Sequence, residues 1–514
     1  MAQAATASGA SAHSPSTSNF SMAKIILAAS AGTMIEWYDF YIFGSLTGVI
    51  AVYFFGTADA NKSILLWLAA YATGFLVRPF GALVFGRIGD IIGRKYTFLV
   101  TMTIMGLSTA AIGLIPISVE KGAAISIIPP LILVALRLLQ GLALGGEYGG
   151  AATYIAEHAP EHRRGYYTSF IQITATAGFF LSLIVILLTR QALSGPSSVT
   201  LAQGKTAFEE WGWRVPFLLS LVLVAISLYI RISLRESPLF QRLKDSGKTS
   251  KNPLVESFGN PVNRRLVILA LFGATAGQGV VWYTGQFYAL VFLQTFLKLD
   301  LGTSYVIVAI ALVLGAPFFV VMGQLSDRIG RKKIILAGCL LAAIAYVPIY
   351  MLMTSFGPYG FNANGVIDTT VANPTYSPVM LVVLIWVQVL FVTMVYGPIA
   401  AFLVELFPTK IRYTSMSLPY HLGNGWFGGL LPVIATFLIT SFAPKIVDGA
   451  VVTPSPFGTG YIYTWLVFPI VVALITVFVG SRYLKENMNR DLSAESSDTE
   501  ASTGAPAPVP VPGR

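Results

Sequence analysis

Long apolar runs, broken by short polar and basic segments, set the pattern of this chain. A helix that crosses a bilayer needs about 20 mostly apolar residues. Such runs lie near 24–54, 64–88, 95–117, 127–156, 165–190 and 214–235. A polar stretch, 236–263, interrupts them, and six more follow near 265–296, 303–326, 332–354, 378–407, 412–441 and 460–484. The pattern predicts an all-α integral membrane protein with twelve transmembrane helices, six (22–235) before a linker (236–263) and six (264–485) after it. Residues 1–21, rich in Ser, Ala and Thr, and residues 486–514, ending in Pro-Val-Pro-Gly-Arg, hold no long apolar run and are expected to be disordered tails. The first 20 residues also lack the basic start and apolar core of a cleavable signal.

Composition supports this class. Of 514 residues, 55% are hydrophobic and 11% charged, against about 25% charged in soluble domains. Such a chain could not cover a water-facing surface, whereas a lipid-facing one needs no such cover. Cys339 is the single cysteine, which excludes an intrachain disulfide, and the four histidines are scattered, so no metal site is expected. The net charge of +10 is explained by where the basic residues fall. One alternate set of connections carries Arg87, Arg94, Lys95, Arg163, Arg164, seven basic residues from Arg235 to Arg265, then Arg328, Arg331, Lys332, Lys333, Lys410 and Arg412. The other set holds only Lys62, Lys121, Arg190, Lys205, Lys298 and Lys445. Cytoplasmic loops are the basic ones, so both termini and the linker are expected in the cytoplasm. The charge is an orientation signal, and no nucleic-acid partner is implied.

The two halves echo each other. Gly86-Arg87-Ile88-Gly89-Asp90-Ile91-Ile92-Gly93-Arg94-Lys95 follows the second run, and Gly323-Gln324-Leu325-Ser326-Asp327-Arg328-Ile329-Gly330-Arg331-Lys332 follows the eighth. Glu157, Pro160 and Arg164 after the fourth run match Glu405, Pro408 and Arg412 after the tenth. Two matches in the same order indicate a duplicated six-helix unit, an arrangement that places a binding site between the repeats near the bilayer midplane. Asp90 and Asp327 can cap a neighbouring helix or pair with arginines. Together these residues are expected to form a conformational latch, the competing reading being a static basic anchor.

Both loop copies resemble the signature loops of the major facilitator superfamily. The segment Gly32-Thr33-Met34-Ile35-Glu36-Trp37-Tyr38-Asp39-Phe40 is similar to its metabolite:proton symporter family. So are Arg78-Pro79-Phe80-Gly81, Arg137-Leu138-Leu139-Gln140-Gly141 with Gly145-Gly146-Glu147, Trp211-Gly212-Trp213-Arg214-Val215-Pro216-Phe217 and Arg235-Glu236-Ser237-Pro238. The resemblance covers about residues 22–485. It implies two pseudo-symmetric six-helix bundles and proton-driven uptake of a small polar metabolite across a bacterial inner membrane. Relatives of this kind take organic acids such as citrate, 2-oxoglutarate and shikimate, or zwitterions such as proline and betaine.

Charges inside apolar runs cost about 2.5–3.5 kcal/mol each on insertion scales, so they mark function by default. The resemblance implies that Asp39 and Arg137 form a proton switch, the competing reading being a permanent ion pair. Glu36, three residues before Asp39, is either an alternative proton carrier or a helix cap. Gln140 and Glu147 share a helix face, and Glu147, among Gly145, Gly146, Gly149 and Gly150, reads slightly more as packing. Arg78 is read as structural more than substrate-binding. In the second half, Gln278, Trp282 and Gln286 recur every four residues beside Tyr283, a polar-aromatic stripe suited to a cavity. Tyr396, Asn424, Gln388 and His421 are weaker candidates. No nucleophile, metal or cofactor motif points to an enzyme, and no cofactor is expected. The expected activity is proton-coupled uptake of an organic acid by a monomer in the bilayer. The alternatives are a zwitterion symporter, an uncoupled facilitator, an exporter and, last, a membrane sensor.

Overall fold

The computed structural model describes residues 22–55, 60–116, 127–193, 206–232, 241, 244–245, 250, 252–447 and 450–488. The two expected tails, apart from residues 486–488, and linker residues 236–240, 242–243, 246–249 and 251 lie outside the described residues. The described chain forms twelve apolar helical segments. The first six are α1 (Met22–Ser45, continuing after a bend as Thr47–Phe55), α2 (Lys62–Ile91), α3 (Arg94–Gly113), α4 (Ile128–His158), α5 (Glu161–Leu193) and α6 (Arg214–Ile232). After a short linker helix, Pro253–Phe258, come α7 (Pro261–Phe296), α8 (Leu301–Ile329), α9 (Arg331–Ser355), α10 (Pro378–Leu406), α11 (Thr409–Phe442) and α12 (Gly458–Tyr483).

Only a helix satisfies its own backbone in lipid, and the sorting of side chains follows from the same solvent. Val313, Leu314, Ile344 and Phe478 point outward. Asp39, Arg78, Arg137, Glu147, Gln278 and Gln286 are buried within the bundle. The two halves meet chiefly where α5 lies along α8 and α2 along α11, contacts related by the internal repeat.

Two positions of the repeated loop demand glycine. Gly93 and Gly330 have φ of 136° and 105°, where a Cβ would clash. Each is the turn that starts the next helix, which explains why glycine recurs there in both copies. Two short antiparallel hairpins, β1 (Tyr359–Phe361) with β2 (Ile367–Ala372) and β3 (Lys445–Val447) with β4 (Ala450–Thr453), join α9 to α10 and α11 to α12. The hydropathy pattern did not predict them, because they are too short to leave a periodic signal.

A candidate solute site between the two halves

At the end of the molecule that carries the repeated loops, charged groups cross from one half to the other. Asp327 of α8 accepts the backbone N–H groups of Gly165 and Tyr166, both at 2.8 Å, at the start of α5. Its counterpart Asp90 of α2 accepts the N–H (3.1 Å) and hydroxyl (2.7 Å) of Thr414 at the start of α11. Each aspartate thus caps a helix of the opposite half, where the positive end of the dipole favours an anion. Arg331 donates to both oxygens of Glu405 (3.0 and 2.9 Å) and to Asp327 (2.6 Å). Arg164 of the other half reaches the same Glu405 at 3.2 Å, and Arg412 reaches Glu157 at 3.3 Å. Gly86 and Gly89 lie against the Thr414 backbone and the Tyr413 ring, so small residues bring the halves together. Gly323 is packed on the α5 backbone at Gly165 in the same way. The Arg94 side chain lies outside the described residues.

The centre differs. A glycine contact sets it up: Gly141 and Gly145 of α4 lie on the backbone of Gly74 and Arg78 of α2, so both arginines enter the core from two tightly joined helices. Phe40 lies between them, 4.4 Å from each guanidinium. Arg78 also covers Phe75 (4.4 Å) and Trp37 (5.4 Å), and Arg137 covers Phe43 (4.6 Å) and Tyr71 (4.9 Å). Such ring faces attract cations, but they accept no full hydrogen bond.

The two cations then part company. Arg137 donates to Gln140 (2.7 Å) and to the Tyr71 carbonyl (3.3 Å), and Gln140 donates to the Thr109 hydroxyl (2.7 Å). Asp39, fully buried, has Thr109 as its polar neighbour, and neither carboxylate oxygen has a hydrogen-bond partner among the described residues. Arg137 is therefore engaged by Gln140, itself bonded to Thr109, and makes no direct ion pair with Asp39. Arg78 is fully buried, and none of its three guanidinium nitrogens has a hydrogen-bond partner among the described residues.

Arg78 lines a small cavity with Thr33, Glu36, Trp37, Leu144, Glu147, Tyr148, Tyr420 and His421. Its open space, about 10 Å³, equals roughly one water. Thr33 donates to Glu147 at 3.2 Å. The first seven of these residues belong to the first half, whereas Tyr420 and His421 come from α11 of the second. The Tyr148 and Tyr420 rings stack across the boundary at 3.5 Å. Trp37 of the cavity wall stacks on Tyr41, and Tyr41 on Trp282, each with ring centroids 5.2 Å apart.

The remaining candidates divide. Gln278 and Asn424 hydrogen-bond each other reciprocally, at 3.1 and 2.7 Å, which occupies both amides. Tyr396 bonds the Tyr420 hydroxyl at 2.7 Å and so supports the cavity wall from behind. Gln286 accepts from Thr176 of α5 at 3.1 Å, and Gln388 is held by Met353 and a backbone carbonyl. Tyr283 lies beside Arg78. Trp37, Tyr148 and Tyr420 were not singled out by the sequence, although Trp37 and Tyr41 share a helix face and Tyr148 and Tyr420 each adjoin a polar candidate. Arg78 and Glu147, read above as leaning structural, line the cavity.

The comparisons agree with this architecture. A family model described as "Sugar (and other) transporter" matches residues 24–261 and 248–486. The inner membrane metabolite transport protein YhjE of Escherichia coli is 34% identical over 82% of this chain and 88% of its own. The proline/betaine transporter of Salmonella typhimurium is 31% identical over 81% of this chain and 78% of its own. Among solved structures, a D-xylose–proton symporter superposes with a TM-score of 0.62 at 19% identity, covering 91% of this chain and 99% of that one. The twelve-helix two-bundle fold, the cross-half helix caps and these matches together establish that the chain belongs to the sugar (and other) transporter family, within the major facilitator superfamily, and is a multi-pass membrane transporter of small molecules.

Proposed function

We propose that this transporter moves a small solute bearing one carboxylate and at least one hydrogen-bond donor, together with a proton, by alternating access. The observation that carries the reading is Arg78: a fully buried cation, without a hydrogen-bond partner among the described residues, lining a cavity built by both halves. An uncompensated buried charge is costly, and a carboxylate supplies the missing acceptors bidentately. Glu36 and Glu147 line the same cavity. They repel a di- or tricarboxylate and welcome an ammonium or hydroxyl, which narrows the organic acid expected from sequence to an amino or hydroxy monocarboxylate. Asp39 is the proton carrier in this reading, since its buried carboxylate has no hydrogen bond to hold it ionised, and Glu36 is the alternative. The latch residues hold one end closed and release it when the halves rock. The basic loops put that end, both termini and the linker in the cytoplasm of a bacterial inner membrane. One chain completes the site, so a monomer suffices.

A second reading, a quaternary-ammonium zwitterion, is favoured by the Trp37, Tyr41 and Trp282 rings beside the cavity. Aromatic faces recognise such ammonium groups, and several relatives are named proline/betaine transporters. Uptake into membrane vesicles under an imposed inward proton gradient separates the readings. Labelled proline, shikimate, glycine betaine and citrate are offered in turn. Protonophore-sensitive accumulation of proline or shikimate supports the first reading, and of betaine alone the second. Accumulation of citrate alone overturns both, and mere equilibration of any solute removes the proton.

A further inference from the structure

His421 is 1% exposed, and neither ring nitrogen has a hydrogen-bond partner among the described residues. A buried imidazole left so is costly, because each ring nitrogen has lost its water without gaining a partner. The ring lines the same cavity as Arg78 and lies close enough to feel its charge. The two donors belong to different halves: Arg78 to α2, His421 to α11. The other ionisable groups facing the ring are Glu36 on α1 and Glu147 and Tyr148 on α4, with Tyr420 beside it on its own helix. Tyr420 is engaged with Tyr396, and Tyr148 accepts from Gln172. His421 also sits at a joint. The α-helical start of α11 ends at His421 and gives way to a π-helical stretch, Leu422–Gly429, holding four glycines. Widened turns of that kind are frequent at functional sites.

Two converging buried donors, one from each half, are satisfied together by a single carboxylate, which has lone pairs for both. We propose that His421 is a specificity-determining contact that donates its N–H to the solute carboxylate held by Arg78, so that the carboxylate clamps the two halves. This rests on the reading that Arg78 binds a carboxylate. It adds that closure of the halves is tied to that group, since a solute without it leaves His421 and Arg78 facing each other unpaired. The α11 joint then lets His421 close on the carboxylate without moving the rest of the helix.

The test is thermal stabilisation of the detergent-purified full chain by proline, lactate and shikimate, each beside its methyl ester. In the wild type at least one free acid stabilises and its ester does not. Arg78→Gln loses that response. His421→Leu weakens the apparent affinity for the acid about ten- to a hundredfold, the weight of one hydrogen bond to a charged group. His421→Gln, whose amide still donates, stays within about threefold of wild type. If His421→Leu and His421→Gln both bind the acid as wild type does while Arg78→Gln fails, the clamp is wrong and the Arg78 reading stands. If His421→Leu does not fold, equal loss in His421→Gln overturns the clamp. Stabilisation that survives Arg78→Gln, or the absence of any acid-specific shift, overturns both.

Discussion

The loop end and the centre of this molecule bury charge in opposite ways. At the loop end Arg331, Glu405 and Asp327 satisfy one another within the second half, and Arg164–Glu405 and Arg412–Glu157 pair across the two halves. At the centre Arg78, Asp39 and His421 are as deeply buried and have no hydrogen-bond partner among the described residues. A satisfied network holds the state in which it forms, because removing one partner strands the others. Groups without partners hold nothing and respond to whatever supplies the missing proton or anion. In the proposed mechanism, the contrast separates the part of the protein that would fix a conformation from the part that would sense the cargo.

The comparison breaks most visibly at the satisfied end. Arg331→Ala strands Glu405 and Asp327 and is expected to destabilise the closed arrangement by about 3–5 kcal/mol. A cysteine placed by Thr153→Cys, buried against Met416, becomes reactive to a permeant maleimide in that background and stays protected without it. At the centre, Arg78→Gln is expected to leave the fold intact and to weaken carboxylate binding by about 2–5 kcal/mol, read as loss of uptake with unchanged melting temperature. A large fall in melting temperature would place Arg78 with the structural charges instead.

Asp39→Asn sharpens the contrast within the centre. Accumulation falls about tenfold for each pH unit of gradient, the equivalent of about 1.4 kcal/mol, while solute exchange continues. Unchanged accumulation would transfer the proton to Glu36, tested by Glu36→Gln. The smallest effect lies at the linker, where Lys410 pairs with Glu256 at 2.8 Å and Ser250 donates to the same carboxyl at 2.5 Å. Burial opposes ionisation there, but the Lys410 and Ser250 hydrogen bonds outweigh it and hold the Glu256 carboxyl below its ordinary value. A depressed carboxylate stabilises the folded state above its unfolded value, and that contribution disappears as pH falls through the folded one. Glu256→Gln therefore lowers stability at pH 7 by less than about 1 kcal/mol, the weight of a half-exposed pair. The gap between the two proteins should close below about pH 4, as thermal melts at both values will show.

The residues that make the charged contacts between the halves were legible because their loop is written twice. Identical spacing of Gly, Asp, Gly, Arg and Lys after α2 and α8 singled out the residues, and the positive φ of Gly93 and Gly330 explains the glycines. The relation of Asp39 to Arg137 was less legible. Both are intramembrane charges, but Arg137 is taken up by Gln140 of its own helix, which in turn bonds Thr109 of α3. Arg78 read as structural because it sits near the end of its run. Only the packing of Gly141 and Gly145 on α2 shows that it points inward among rings. Gln278 and Asn424, read from the sequence as cavity candidates, hydrogen-bond each other, which only the structure shows.

The sequence by itself determined the solvent of this protein, the number of its helices, its twofold repeat and the charged residues that cross between the halves at one end. These follow from apolar run length, spacing and charge, which are properties of position along the chain. Which buried polar groups are satisfied was decided only by the tertiary structure. A hydrogen bond between residues hundreds of positions apart depends on helix rotation and on how the two halves meet. The same residue types that quench one another at the loop end are left facing a common cavity at the centre.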